Sequence, residues 1–185
     1  LLRSVAAIAL LIGGGAAAET YPEKPIRLIV PFDQGGLTSN SARIMAKAIE
    51  DNDLLPVPII ISYVPGAAGT IGARQVKDSK PDGYTALIWH VAANGAQAMG
   101  NVNFGPDDFK LVAGTDRQCY MLVVRESSEY QTLPELLEAA KANPDTIISA
   151  DNLGGANHIA SVLAEDAVPG ASFRHVQFGG TAKTY

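Results

Sequence analysis

A short apolar run that leads into a glycine pair constrains the fold of this chain most strongly. Residues 26–30, Ile-Arg-Leu-Ile-Val, precede Gly35 and Gly36, and polar residues that favour a helix start follow at 38–40. This order predicts a buried strand, a tight turn and a capped helix. Such a junction directs unpaired backbone N–H groups, at the positive end of a helix dipole, toward one point. We therefore predict that this junction binds an anion.

The same strand, small-residue loop and helix recur along the first half of the chain. A second apolar run at 57–63 leads into the glycine-rich stretch 65–73 and a helix that ends near Ser79. A third run at 84–89 delivers His90 to the end of its strand. The apolar residues are continuous rather than alternating, as in strands covered on both faces. The pattern predicts an α/β fold with a parallel sheet, whose ligands bind at the carboxyl ends of the strands.

The pattern changes beyond Phe109, where we predict strands at 110–115 and 120–125 joined by a polar segment. We interpret this region as a crossover between two lobes. Thr132 and Glu135 then match a capping box, which predicts a helix that continues to Asn143.

A second α/β lobe is predicted after that helix. It contains strands at 147–150 and 173–178, and between them a glycine loop at 154–157 and a helix at 158–166. The predicted domains are therefore a first lobe at 19–115 and a crossover with a partial second lobe at 116–185.

Composition limits the partners and the compartment. The chain has 185 residues, 47% of them hydrophobic, and a formal net charge of −5 without a run of Lys or Arg, which argues against nucleic acid or an anionic membrane as the main partner. Residues 1–18 resemble an export signal, with an early cation, a short apolar stretch and small residues before Ala18. Cys119 is the only cysteine, so no intramolecular disulfide can form.

Other ligand and enzyme classes lack their motifs. The glycine spacing at 66–72 does not fit Gly-x-Gly-x-x-Gly, and neither a phosphate loop nor Gly-x-Ser-x-Gly is present. His90, His158 and His175 are too scattered to match a metal motif. No cofactor is therefore expected. Position favours a helix-packing or loop-bracing role for His158.

Several motifs, in order, resemble one family of transport receptors. They are residues 21–32 (Tyr-Pro-Glu-Lys-Pro-Ile-Arg-Leu-Ile-Val-Pro-Phe), the Gly35-Gly36 pair, 65–73, 81–85 (Pro-Asp-Gly-Tyr-Thr), 142–144, 154–158 and 178–182. Together they are similar to the extracytoplasmic solute receptors of tripartite tricarboxylate transporters, the Bug family. The resemblance extends over nearly the whole chain after the export signal.

The resemblance implies a type II periplasmic binding protein with two α/β lobes and a ligand cleft between them, the second lobe being incomplete here. It implies a monomer that captures a small organic carboxylate and presents it to a membrane permease. Loops of both lobes would line the cleft. The expected ligand-binding residues are Phe32, Gly35, Gly36, Thr38, Ser39, Gly66, Gly69, Thr70, His90, Gly154, Gly155, Phe178 and Thr181.

Departures from the family pattern leave alternatives open. Asp33 stands in the first loop, and Ser39 stands where an Asp is usual; Asp151 replaces a small residue and Gly155 a frequent Ser. A carboxylate at Asp33 or Asp151 would oppose a bound anion if it faced the cleft. The glycine-loop residues could also serve only as turns and caps. One alternative is a secreted α/β enzyme that uses His158 with Asp151, and another is a truncated, non-transporting remnant.

Overall fold

Two parallel sheets organise the chain in the computed structural model, which describes residues 20–117 and 119–179. The first sheet has three strands, β1 (Ile26–Val30), β2 (Ile59–Tyr63) and β3 (Thr85–Leu87), in the order β2-β1-β3. The second pairs β4 (Ile148–Asp151) with β5 (Arg174–Gln177). The prediction of parallel α/β units is confirmed. The predicted export signal at 1–18 and the site residue Thr181 lie outside the described residues.

Helices connect the strands within each sheet, as parallel pairing requires. Short 3₁₀ turns at Ala67–Gly69 and Pro106–Asp108 supplement them. The helices are α1 (Leu37–Asp51), α2 (Thr70–Lys77), α3 (Ala92–Ala98), α4 (Leu133–Ala142) and α5 (Ala156–Asp166).

The burial of the central strand β1 explains why the second half of its sequence is continuously apolar. Leu28, Ile29 and Val30 are all buried, since β2 and β3 flank the strand and helices cover it. Leu28 and Val30 pack with Ala42 of α1 and with Ile88. This core fixes the end of β1 and hence the position of the loop that follows.

The predicted capping box is confirmed at α4. Thr132 accepts a hydrogen bond from the backbone N–H of Glu135, whose carboxylate accepts one from the Thr132 N–H in return. Leu136 and Leu137 of this helix form a second core with Phe173, next to β5.

Two predictions about secondary structure are wrong. The segments 110–115 and 120–125 form no strand among the described residues, and Leu111 and Val112 are 86% and 91% exposed. A strand-like sequence becomes a strand only where a neighbour accepts its backbone hydrogen bonds, and the described chain supplies none there.

The start of α1 is the second correction. The helix begins at Leu37, and its N-cap is Gly36 instead of one of residues 38–40. Thr38 and Ser39 therefore lie inside the first turn. The Ser39 hydroxyl does not cap the helix because it is engaged elsewhere in the loop.

No helix among residues 20–117 and 119–179 is long and apolar enough to cross a membrane. The predicted domain boundary between residues 115 and 116 stays a prediction.

Candidate functional site

The predicted site residues that the structure describes follow the ends of all five strands, β1 to β5. The loop after β1, residues 31–36, turns at Gly35, whose φ of 88° is in the left-handed region that glycine adopts without strain. Gly36, the last residue of this loop, is the N-cap of α1, and no side chain caps the helix. The N–H groups of Thr38 and Ser39 lie in the first turn, where the helix offers them no carbonyl four residues back. This loop can therefore present donors to an anion.

Ser39 braces this loop from within. Its hydroxyl accepts a hydrogen bond from the Gly35 N–H at 3.3 Å and donates one to the Tyr63 hydroxyl at 3.2 Å, and the residue is completely buried. Tyr63 is the last residue of β2, so the bond ties the loop after β1 to the neighbouring strand. Sequence reasoning missed this partnership, since nothing in the spacing of the two residues indicates it.

The loop after β2 has an unusual backbone. Four consecutive residues, Gly66, Ala67, Ala68 and Gly69, have positive φ angles of 129°, 45°, 54° and 92°. For the two alanines this conformation is strained. The turn is closed by a hydrogen bond from the Gly69 N–H to the Gly66 carbonyl at 2.9 Å, and Thr70 then starts α2.

Gly69 is required by close neighbours as well as by its backbone angle. A Cβ atom there would lie 2.8 Å from Nε1 of Trp89 and 3.1 Å from Cζ of Phe32. Trp89 in turn donates to the Ala68 carbonyl at 3.4 Å. The loops after β1 and β2 and the end of β3 thus converge on one place.

His90 follows β3 and is held there as a neutral ring. It stacks on Phe32 with a centroid distance of 4.6 Å and an interplanar angle of 7°. Its Nδ1 accepts a hydrogen bond from the Ala92 N–H at 3.2 Å, which leaves the proton on Nε2. Burial lowers the pKa of His90 to about 4, against a smaller opposing effect of the Asp116 charge. At neutral pH the ring is an uncharged donor.

The loop after β4, residues 152–155, is also held by side chains. His158 accepts a hydrogen bond from the Gly154 N–H at 3.2 Å through Nδ1, and Gln177 accepts one from Leu153 at 2.8 Å. Gly155 is the N-cap of α5 and has no side-chain cap. The predicted loop-bracing role of His158 is confirmed.

The loop after β4 packs against α3 and lies near the loop after β2. A Cβ atom on Gly154 would lie 3.8 Å from Cβ of Ala68 and 3.1 Å from Sδ of Met99. A Cβ atom on Gly95, within α3, would lie only 2.4 Å from the Gly154 carbonyl oxygen. The glycine in the middle of a short helix was the available sequence signal for this contact, because such a glycine usually has a packing reason.

Asp151 does not present a free charge to this region. It is 1% exposed; its Oδ1 accepts a hydrogen bond from Ser161, and its Oδ2 lies 2.7 Å from Nδ1 of His175. The alternative of an enzyme depended on Asp151 acting with His158. In the described structure Asp151 pairs with His175, and His158 bonds to the Gly154 N–H instead.

Most predicted site residues lie in these loops. Phe178 is 57% exposed and donates its N–H to the Asp151 carbonyl at 2.6 Å, just beyond β5. Among the described residues, no group of three or more His, Cys, Asp or Glu side chains could hold a metal ion. Ligand contact by any predicted site residue stays a prediction.

The fold and these loops define a class of protein: an α/β protein with glycine loops at the carboxyl ends of parallel strands, the edge at which such sheets bind ligands. Solved structures agree. The periplasmic binding protein BugD is 28% identical with a TM-score of 0.64, over 88% of this chain and 54% of that one. MatC from Rhodopseudomonas palustris, solved with bound malate, is 26% identical with a TM-score of 0.74, over 87% of this chain and 55% of that one. The fold is that of type II periplasmic binding proteins.

The chain belongs to the tripartite tricarboxylate transporter family of receptors, whose family model matches residues 42–185. A UPF0065 protein of Bordetella pertussis is 32% identical over 99% of this chain and 57% of its own length. Protein BugT of the same organism is 30% identical over 92% of this chain and 53% of its own length. The chain thus spans somewhat more than half the length of these relatives. The predicted family resemblance is confirmed.

Proposed function

We propose that this chain is the ligand-binding part of a periplasmic receptor that captures a small organic carboxylate and delivers it to a tripartite tricarboxylate-type membrane transporter. The observation that carries the proposal is the convergence of three glycine loops, two from the first sheet and one from the second. Each loop ends at the start of a helix. The family membership and the malate bound to MatC support a carboxylate as the ligand.

Backbone dipoles, rather than side-chain cations, would hold the carboxylate. None of the predicted site residues is Lys or Arg. The first turns of α1 and α2 offer N–H groups at positive helix ends, and such donors replace the hydration that a carboxylate loses in a cleft. The neutral His90 adds an Nε2–H donor without a formal charge. Such a site recognises the carboxylate group and leaves the rest of the ligand to the shape of the cleft.

The second sheet would close the site from the opposite side. The loop at 152–155 presents the start of α5, and its Gly154 carbonyl lies against Gly95 of the first half. A ligand that bonds to both halves favours the closed population because it interacts with both only there. Export to the periplasm and action as a monomer are part of this proposal.

Isothermal titration calorimetry tests the proposal. The chain would be titrated with malate, succinate, citrate, glutamate and an aromatic acid. Saturable binding of at least one acid is expected. A folded protein that binds none of them would contradict the proposal. No observation favours the enzyme alternative, because His158 braces the loop and Asp151 is paired with His175.

A further inference from the structure

His175 lies between two carboxylates in the second half of the chain. Its Nδ1 is 2.7 Å from Oδ2 of Asp151, and its Nε2 is 3.2 Å from Oε2 of Glu165. A neutral imidazole has a single N–H and can donate to only one of them, whereas an imidazolium donates to both. The geometry therefore fits the charged ring.

Both carboxylates are largely removed from water. The side chain of Asp151 is 2% exposed and that of Glu165 is 13% exposed. Their remaining oxygens are engaged too: Asp151 accepts from the Ser161 hydroxyl, and Glu165 accepts from the Phe173 N–H. Two buried negative charges without a cation between them would be costly, so the imidazolium balances the cluster.

The cluster adjoins the loop that we propose to touch the ligand. Asp151 ends β4, and residues 152–155 follow it directly. His158, which holds the Gly154 N–H, packs edge-on against His175 with a centroid distance of 4.7 Å. The same ring thus contacts the residue before the loop and the residue that braces it.

We infer that His175 is a positioning residue: its imidazolium links β4, β5 and α5 and thereby holds the loop at 152–155 against Gly95 of α3. The charged and titratable groups that face it are Asp151 from β4 and Glu165 and His158 from α5. The link between this loop and ligand binding rests on the proposed function, but the order of the loop can be measured without a ligand.

The ionisation of His175 makes the stability of this cluster depend on pH in one direction. Burial lowers the pKa of His175, but the hydrogen bonds and charges of Asp151 and Glu165 outweigh burial and raise it above the usual 6.5. A group with a raised pKa in the folded state stabilises that state fully below its unfolded pKa. The contribution is lost as pH rises through the folded value. The loop should therefore loosen toward alkaline pH.

Hydrogen exchange of the loop amides of Leu153, Gly154 and Gly155 tests the inference, with rates corrected for the intrinsic effect of pH. Protection in the unmodified chain should fall at least about tenfold between about pH 6 and about pH 9, since a hydrogen bond to a charged group is worth about one decade or more in an equilibrium constant. His175→Gln, which is uncharged, should already show the low protection at the acidic end.

Glu165→Gln and Asp166→Asn form a matched pair. Each removes one negative charge from the same helix, but Asp166 is exposed and only Glu165 contacts His175. Glu165→Gln should move the midpoint of the protection curve to lower pH, whereas Asp166→Asn should superimpose on the unmodified chain. Protection independent of pH in the unmodified chain, or equal shifts in both variants, would overturn the inference.

Malate titrations of the same samples connect the loop to binding. We expect malate affinity to weaken in parallel with loop protection. If protection falls with pH while malate affinity stays constant, His175 does not position a binding loop, and the inference fails. If malate does not bind at any pH, the proposed ligand class loses support, while the exchange data still decide whether His175 holds the loop.

Discussion

Replacing Gly95 with alanine should weaken carboxylate binding without destabilising the fold. The new Cβ atom would lie 2.4 Å from the Gly154 carbonyl oxygen, whereas ordinary contact begins at 3.4 Å. The loop at 152–155 must therefore retreat from α3 by about 1 Å. The obstacle is a backbone atom, so no side chain can rotate to relieve the clash.

The cost of this retreat sets the expected loss of affinity. Overpacking of a close contact typically costs about 1–3 kcal/mol, which corresponds to a Kd increased about 5-fold to about 150-fold. An alanine inside a helix is more favourable than glycine by up to about 1 kcal/mol. This helix gain offsets part of the cost in the unliganded chain, so the melting temperature should change little, which distinguishes a loss of closure from a loss of folding.

Calorimetry with malate, or with another acid that binds in the titration panel, measures the affinity. The fluorescence of Trp89, the single tryptophan, reports the loop after β2, because its ring nitrogen bonds to Ala68 beside Gly154. Gly114→Ala is the matched control, since no described atom lies within 4 Å of its Cβ position. An unchanged Kd for Gly95→Ala would refute the idea that the two loops meet around the ligand.

Three further substitutions separate bracing, folding and ionisation. Ser39→Ala removes the hydrogen bonds to Gly35 and Tyr63, so the free energy of unfolding in urea should fall by about 1–3 kcal/mol and ligand binding should weaken. An unchanged unfolding free energy and ligand affinity would show that the hydroxyl neither braces the loop nor supports the site. Thr132→Ala should lower the free energy of unfolding by about 1 kcal/mol through loss of the α4 cap and leave ligand affinity unchanged, so a drop in affinity would contradict the separation of this cap from the site. His90 is buried in its neutral form, so the free energy of unfolding should fall as the unfolded chain takes up a proton at acidic pH. Between about pH 7 and about pH 5 the unmodified chain should lose about 2 kcal/mol more than the His90→Gln variant. Parallel curves of unfolding free energy against pH would disprove the lowered pKa of His90.

Local sequence patterns were sufficient for much of the fold. The apolar residues of β1 predict a buried central strand, and the Thr132–Glu135 pair predicts the start of α4, because both signals act over a few neighbouring residues. The strands predicted at 110–115 and 120–125 failed for the opposite reason: strand formation depends on a partner elsewhere in the chain.

The site was predictable as a set of loops but not as a set of contacts. Glycine spacing located the turns at Gly35, Gly69 and Gly154, all of which have positive φ. It could not reveal that Ser39 would turn to Tyr63, or that Asp151 would be neutralised by His175, since those pairs are 24 residues apart in the chain and are joined only by packing. Because His175 pairs with Asp151, this carboxylate does not repel a bound anion.

Amide chemical-shift mapping by NMR, during a titration with the tightest-binding acid, measures whether the loops of both sheets form one carboxylate site. We expect the largest shifts on the first turns of α1, α2 and α5, which include Thr38, Thr70 and Ala156, and on His90. Shifts confined to other surfaces, or to the first sheet alone, would contradict a carboxylate site formed between the loops of the two sheets.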